Sequence, residues 1–312
     1  MHTQPSFPVQ KVALSALAVL TLALQVGPVA STSAAASDAQ PVAVTSAAAS
    51  NQVYNKFEAL LKKGQLQQAI DYLDANIGKA SKYQATIMVL HLENALVKAL
   101  PGRVDKLAKP EWQTEISKVY RPGDSFQTVA NKVKNSSLRT ALKDASEMNY
   151  RLETAEGFYF PVVRYAAFQK YGNYITADIK TYLDIMTAES EKAVAKDAAL
   201  LLGYQELANR ALAQERFVTM YPSSNRTAQV KNLLHNYKTM TFYGLNNTPL
   251  FDYETKTMQA NAKKGYTLIL QANKGKSSGY LKLLQQFMDV VAEHDYKLTP
   301  EVEKFRKVNV PI

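Results

Sequence analysis

The sequence predicts an all-α fold, a multi-helix bundle of about ten helices. Two observations predict it. Apolar residues recur at three- and four-residue spacing from Val53 almost to the end of the chain. No period-2 run of Val, Ile and Thr is long enough to argue a sheet. Taken in order, Val53, Phe57, Leu60 and Leu61 share one face of a first helix, which Gly64 ends. Leu66, Ala69, Ile70, Leu73 and Ile77 form the stripe of the next. The stretch Lys63 to Leu73 has the small-residue pattern of half a tetratricopeptide repeat, so a TPR-like helical hairpin is expected at the start. The 34-residue period is not sustained, which excludes a repeat array.

Further helices are expected over about 84–99, 111–120, 124–134 and 137–157. Pro101-Gly102 stops the first of these and Pro122-Gly123 the second. Asp124 with Gln127 offers a capping-box-like start to the third. Gly157-Phe-Tyr-Phe-Pro161 must interrupt or bend the chain. Helices resume over about 162–171, 176–191 and 194–220, then about 225–241, 255–272 and 277–295. Thr299-Pro300-Glu301 starts a short last one.

The organisation expected around this bundle is a leader, a linker and one domain. Lys11, the uncharged run Val12–Leu24 and the small residues Ala34-Ala35-Ala36 read as a secretory signal peptide over residues 1–36. The apolar run is shorter than the ~20 residues that span a bilayer, so a membrane is a partner only if this segment stays uncleaved. Residues 37–50 are Ala-, Ser- and Thr-rich and read as a flexible linker. Residues 51–312 form the helical domain, with a weak sub-boundary near 101–123 where Pro and Gly punctuate two short helices. The expected location is outside the cell, secreted or wall-associated.

Composition excludes several chemistries. There is no cysteine, so disulfides, thiolate metal sites and a cysteine nucleophile are impossible. Beyond the leader only His91, His235 and His294 remain, and no two stand at the i, i+4 spacing of a helical zinc pair. His91 and Glu93 are two residues apart and point in different directions. No Gly-x-Ser-x-Gly elbow and no phosphate-cradling glycine loop is present, so no metal and no cofactor are implied. Formal net charge is +10. Outside the membrane the partners for such a charge are anionic wall polymers, glycans or lipid head groups rather than nucleic acid, unless the charge serves solubility alone. Lys274, Lys276 and Lys282 form the densest basic stretch, expected as an exposed loop.

Parts of the stretch from Gly157 to Leu270 resemble a group of uncharacterised exported helical proteins of spore-forming Gram-positive bacteria. The residues that carry the resemblance are Gly157-Phe-Tyr-Phe-Pro161-Val-Val, Tyr182–Ser190, Arg210–Glu215 with Tyr221-Pro222, and Gly244–Phe251. It implies an exported helical domain and supplies no activity and no functional residues.

Two carboxylates are weak catalytic candidates. Glu189, in a Glu-Ser pair closing a helix, has the residue step of helical muramidases, where a glutamic acid protonates a glycosidic oxygen. The loop that accompanies that step is missing, and a solvated helix end is the expected state of Glu189 and Glu191. Glu156 stands beside three aromatics at a chain break, where it could orient a sugar hydroxyl or cap the next helix. A ligand groove is expected from Glu156, Phe158, Tyr159, Arg164, Asn246 and Asn247. Tyr165, Phe168 and Tyr171 lie at helical spacing and read as core. The function expected is a non-enzymatic, exported, cationic protein that associates with the cell surface or its wall polymers. The alternatives are a glycan-strand hydrolase with a Glu general acid and a helical protein-binding module.

Overall fold

The computed structural model describes residues 41–312. The leader expected over residues 1–36 lies outside the described residues. Helix is the dominant structure, with twelve α-helices among the described residues, and the all-α reading holds. The chain divides into two compact units, one ending at Glu191 and the other beginning at Lys192. The stretch 101–123 lies inside the first unit.

The first unit opens with α1 (Pro41–Lys62) and α2 (Leu66–Asn76), packed against each other as a hairpin. Residues 41–50, expected as linker, are the first turns of α1. The turn between the two helices needs Gly64, whose φ of +70° is open to glycine at little cost. Val53 and Phe57 of α1 and Leu66, Ala69, Ile70 and Leu73 of α2 are buried.

The next helix, α3 (Lys82–Leu107), starts on Ser81, whose hydroxyl accepts from the Gln84 amide. It runs straight through Pro101-Gly102, where the sequence predicts a stop. An interior proline costs about 3 kcal/mol. The buried stripe continues beyond it through Val104 and Leu107, and each such side chain returns roughly 1.5–3 kcal/mol. Packing therefore outweighs the lost hydrogen bond.

Three shorter helices follow: α4 (Pro110–Val119), α5 (Phe126–Ala130) and α6 (Ser136–Glu147). The cap of α5 is Ser125, one residue beyond the expected Asp124. Asp124 instead accepts from the Arg121 backbone N–H and from Lys132.

The helix expected over 137–157 ends at Glu147, and the chain turns into a β-hairpin of β1 (Tyr150–Ala155) and β2 (Phe158–Val163). The residues explain it. Tyr150, Leu152 and Ala155 are buried, while Arg151 and Glu153 face outward and pair at 2.9 Å. Glu156 and Gly157 join the strands, both with positive φ, as a two-residue turn demands. Pro161 lies opposite Leu152, two residues from Tyr159, whose backbone N–H and C=O point away from β1 to the Gln113 side chain. Pro161 shares that outward orientation, so it forfeits no ladder bond. A 3₁₀ segment (Tyr165–Tyr171) and α7 (Ala177–Glu191) complete the unit. Tyr165, Phe168 and Tyr171 are buried as core.

The second unit begins with a small hairpin, β3 (Ala195–Lys196) and β4 (Ala199–Leu200), where the sequence predicts helix. Its turn residues Asp197 and Ala198 both have positive φ. Then come α8 (Tyr204–Met220) and α9 (Thr227–Tyr243), packed on each other. A second small hairpin, β5 (Gly244–Leu245) and β6 (Thr248–Pro249), follows. The last helices are α10 (Ala260–Ala272), α11 (Gly279–Glu293) and α12 (Pro300–Asn309). Gly265 of α10 lets α8 come close: a Cβ there would stand 2.9 Å from the Gln205 nitrogen. Phe217, Tyr237, Phe242, Tyr266, Tyr280 and Phe287 fill the core. Its hydroxyls are satisfied in a chain, Tyr266 Oη donating to the Thr241 carbonyl at 2.6 Å and Thr241 Oγ1 meeting Tyr280 Oη at 2.9 Å.

Candidate functional site

The β1–β2 hairpin decides the fate of four expected ligand residues. Glu156 is exposed at its tip, and Arg164 is exposed just past its far end. Six residues of strand lie between them, and at ~3.3 Å per residue they stand about 20 Å apart along β2. They do not converge on one groove. Phe158 is half-buried with its ring stacked on Phe160, centroids 6.1 Å apart. Tyr159 is buried, with its ring edge-on to Tyr120 at 5.0 Å. The expected groove rests on a helical break at Gly157. A strand instead sends alternate side chains to opposite faces and spreads the rest along its length.

Glu189 also differs from expectation. It lies on the last turn of α7 and is 6% exposed, so it is not a solvated helix end, whereas Glu191 is exposed. Its neighbour Ser190 is buried, with its hydroxyl turned back to the Thr187 carbonyl at 3.3 Å. A second carboxylate, weighed in the sequence only beside His91, is also buried. Glu93 on α3 is 1% exposed and accepts from Tyr165 Oη at 2.7 Å and from Tyr182 Oη. Burial pushes the Tyr165 hydroxyl well up, and the Glu93 charge adds to the shift. His91, two residues earlier, points elsewhere and meets Glu58 Oε1 at 2.7 Å. Among the described residues no three metal-ligating side chains cluster.

Asn246 and Asn247 belong to the second unit, apart from the other four expected ligand residues. They form the turn between β5 and β6. Asn247 holds the two small hairpins together: its backbone N–H donates to the Ala198 carbonyl at 2.9 Å and its Nδ2 to the Asp197 carbonyl at 2.7 Å. Thr248 adds a third link, its hydroxyl accepting from the Leu200 N–H at 2.8 Å. Gly244 makes this turn possible. It has φ +77° and ψ −153°, and a Cβ would lie 2.4 Å from the Thr248 carbonyl oxygen.

Beside these hairpins lies a cleft of about 280 Å³. Leu200, Leu202, Tyr204 and Pro249 give it apolar walls. Asn247, Thr248, Gln259 and Asn261 bring amides and a hydroxyl to it. Gln259 and Asn261 come from the start of α10, and the Gln259 N–H is anchored to the Leu250 carbonyl at 2.9 Å. Desolvation raises the Tyr204 hydroxyl, which stays neutral. Tyr253 is 61% exposed, yet its Oη is fixed on the Asn246 carbonyl at 3.0 Å. Nothing in the sequence near 200, 204, 259 or 261 pointed to this cleft, because tertiary pairing of the two hairpins assembles it.

The chain matches no protein-family model, no curated protein and no solved structure.

Proposed function

We propose that this chain is an exported, non-enzymatic, cationic helical protein that associates with anionic polymer at the cell surface. The observation that carries the reading is the charge and its distribution. Of a formal net charge of +10, the second unit holds seventeen Lys and Arg against ten Asp and Glu. Lys274, Lys276 and Lys282 are exposed there, the first two on the loop between α10 and α11. Such a surface attracts polyanions over roughly a Debye length, ~10 Å at 0.1 M salt. Export rests on the order of Lys11, the apolar run Val12–Leu24 and Ala34-Ala35-Ala36. The absence of cysteine means that the fold relies on its core in an oxidising setting. Among the described residues no helix is long and apolar enough to cross a membrane.

The test is retention on purified Gram-positive wall at low and at moderate salt. The reading expects retention that is strongest at low salt. No retention at low salt would remove it, because charge-driven binding is greatest there.

A further inference from the structure

We propose that the cleft between the two small hairpins and the start of α10 is a saccharide subsite that holds one uncharged sugar ring. The proposal deepens the surface-polymer reading and rests on it for the source of the ligand, a ring within the polymer that the lysines attract.

The lining is the first argument. The chain carries 37 basic and 27 acidic residues, yet every residue lining this cleft is uncharged. A charged headgroup would lose its hydration there and gain no counter-ion. A neutral ligand with one apolar face and a rim of hydroxyls meets what the cleft offers. Each sugar hydroxyl both donates and accepts, and so does each carboxamide.

Division of labour within the lining is the second argument. Asn247 Nδ2 and Thr248 Oγ1 are spent on tying β3–β4 to β5–β6, so they fix the shape of the cleft. The side chains of Gln259 and Asn261 have no hydrogen-bond partner among the described residues, and Asn261 is exposed. Tyr253 supplies the third argument, from outside the lining but tied to the Asn246–Asn247 turn that borders it. An exposed aromatic ring normally moves with its rotamers, but this one is held by its hydroxyl one residue from Asn247. A fixed, solvent-facing aromatic ring is a platform for the C–H face of a pyranose.

Size points the same way. At about 280 Å³ the cleft lies just below the ~300–1,000 Å³ of pockets for drug-sized ligands, which suits a single ring of a longer chain. A peptide adding as a strand needs a sheet edge, and β3 to β6 are two residues each.

Titration calorimetry of the full chain with uncharged tetrasaccharides, β-1,4-linked N-acetylglucosamine and β-1,4-linked glucose, tests the proposal. At least one binds, with an affinity that changes less than about twofold between about 50 mM and about 500 mM salt. The double variant Tyr253→Ala with Asn261→Ala weakens that binding at least about threefold. Both side chains are exposed, and an unchanged melting temperature shows that the fold is kept. No binding of either sugar up to roughly 10 mM, a salt-dependent affinity, or a smaller loss in the double variant overturns the subsite. Failure of the surface reading looks different: retention on anionic wall is lost while the neutral tetrasaccharide still binds.

Discussion

Replacing Gln113 by alanine tests how the β-hairpin of the first unit is held. Strand β2 belongs to a two-stranded sheet, so its outer edge has no strand to pair with. The Gln113 side chain takes that place. Its Oε1 accepts from the Tyr159 N–H at 2.8 Å, and its Nε2 donates to the carbonyls of Tyr159 at 2.9 Å and Leu107 at 2.8 Å. Each such bond contributes about 0.5–1.5 kcal/mol net, so losing three costs about 2–4 kcal/mol. With a urea slope of about 2 kcal/mol per M, the midpoint falls by about 1–2 M. The chain has one tryptophan, Trp112, buried beside Gln113. Its fluorescence therefore reports the loss where it occurs. A midpoint shift below about 0.3 M in Gln113→Ala would refute the edge-capping account, because it would mean that water replaces the side chain at no cost.

Two further predictions concern the second unit. Gly244→Ala forces a Cβ to within 2.4 Å of the Thr248 carbonyl at a φ of +77°. Backbone strain and overpacking together cost about 2–5 kcal/mol, seen as a lower urea midpoint by circular dichroism; an unchanged midpoint means that the hairpin is dispensable. Hydrogen bonding from Lys192, then from Arg210, holds the Glu206 carboxyl below its ordinary 4.5. A depressed acid stabilises the fold above its unfolded pKa, and that share is lost as pH falls through the folded value. Stability therefore declines as the solution is acidified below about pH 4.5, and Glu206→Gln flattens that acid limb. Glu206 is 39% exposed, so the effect stays within ~1 kcal/mol; an acid limb unchanged in the variant would rule the pair out as its source.

The helices were legible because their apolar stripes are long, as in α8 and α11. The β1–β2 hairpin was not. The strand is six residues, Tyr150 to Ala155, its alternation lapses after Glu153, and Leu, Glu and Ala within it are good helix formers. The better signal was the Glu156-Gly157 pair between two short runs, a two-residue turn with glycine in second place. Strands β3 to β6 carry no period at all at two residues each, and only the turn residues Asp197-Ala198 and Asn246-Asn247 betray them. Pro101 misled in the opposite sense, since local propensity yields to the buried face that continues beyond it. Of the expected ligand residues, Asn247 lies in a polar turn ending at Pro249, and its side chain ties the two small hairpins together. Its partners across the cleft, Gln259, Asn261 and Leu202, come from segments whose meeting no local pattern encodes.

The central claim is that surface charge brings this chain to an anionic polymer. The most direct measurement is the affinity of the full chain for purified anionic wall polymer across a salt series, for wild type and for Lys274→Gln, Lys276→Gln and Lys282→Gln combined. The account predicts an affinity that falls steadily with salt and is weaker in the triple variant at every low-salt point. An affinity indifferent to both salt and the three lysines would contradict it.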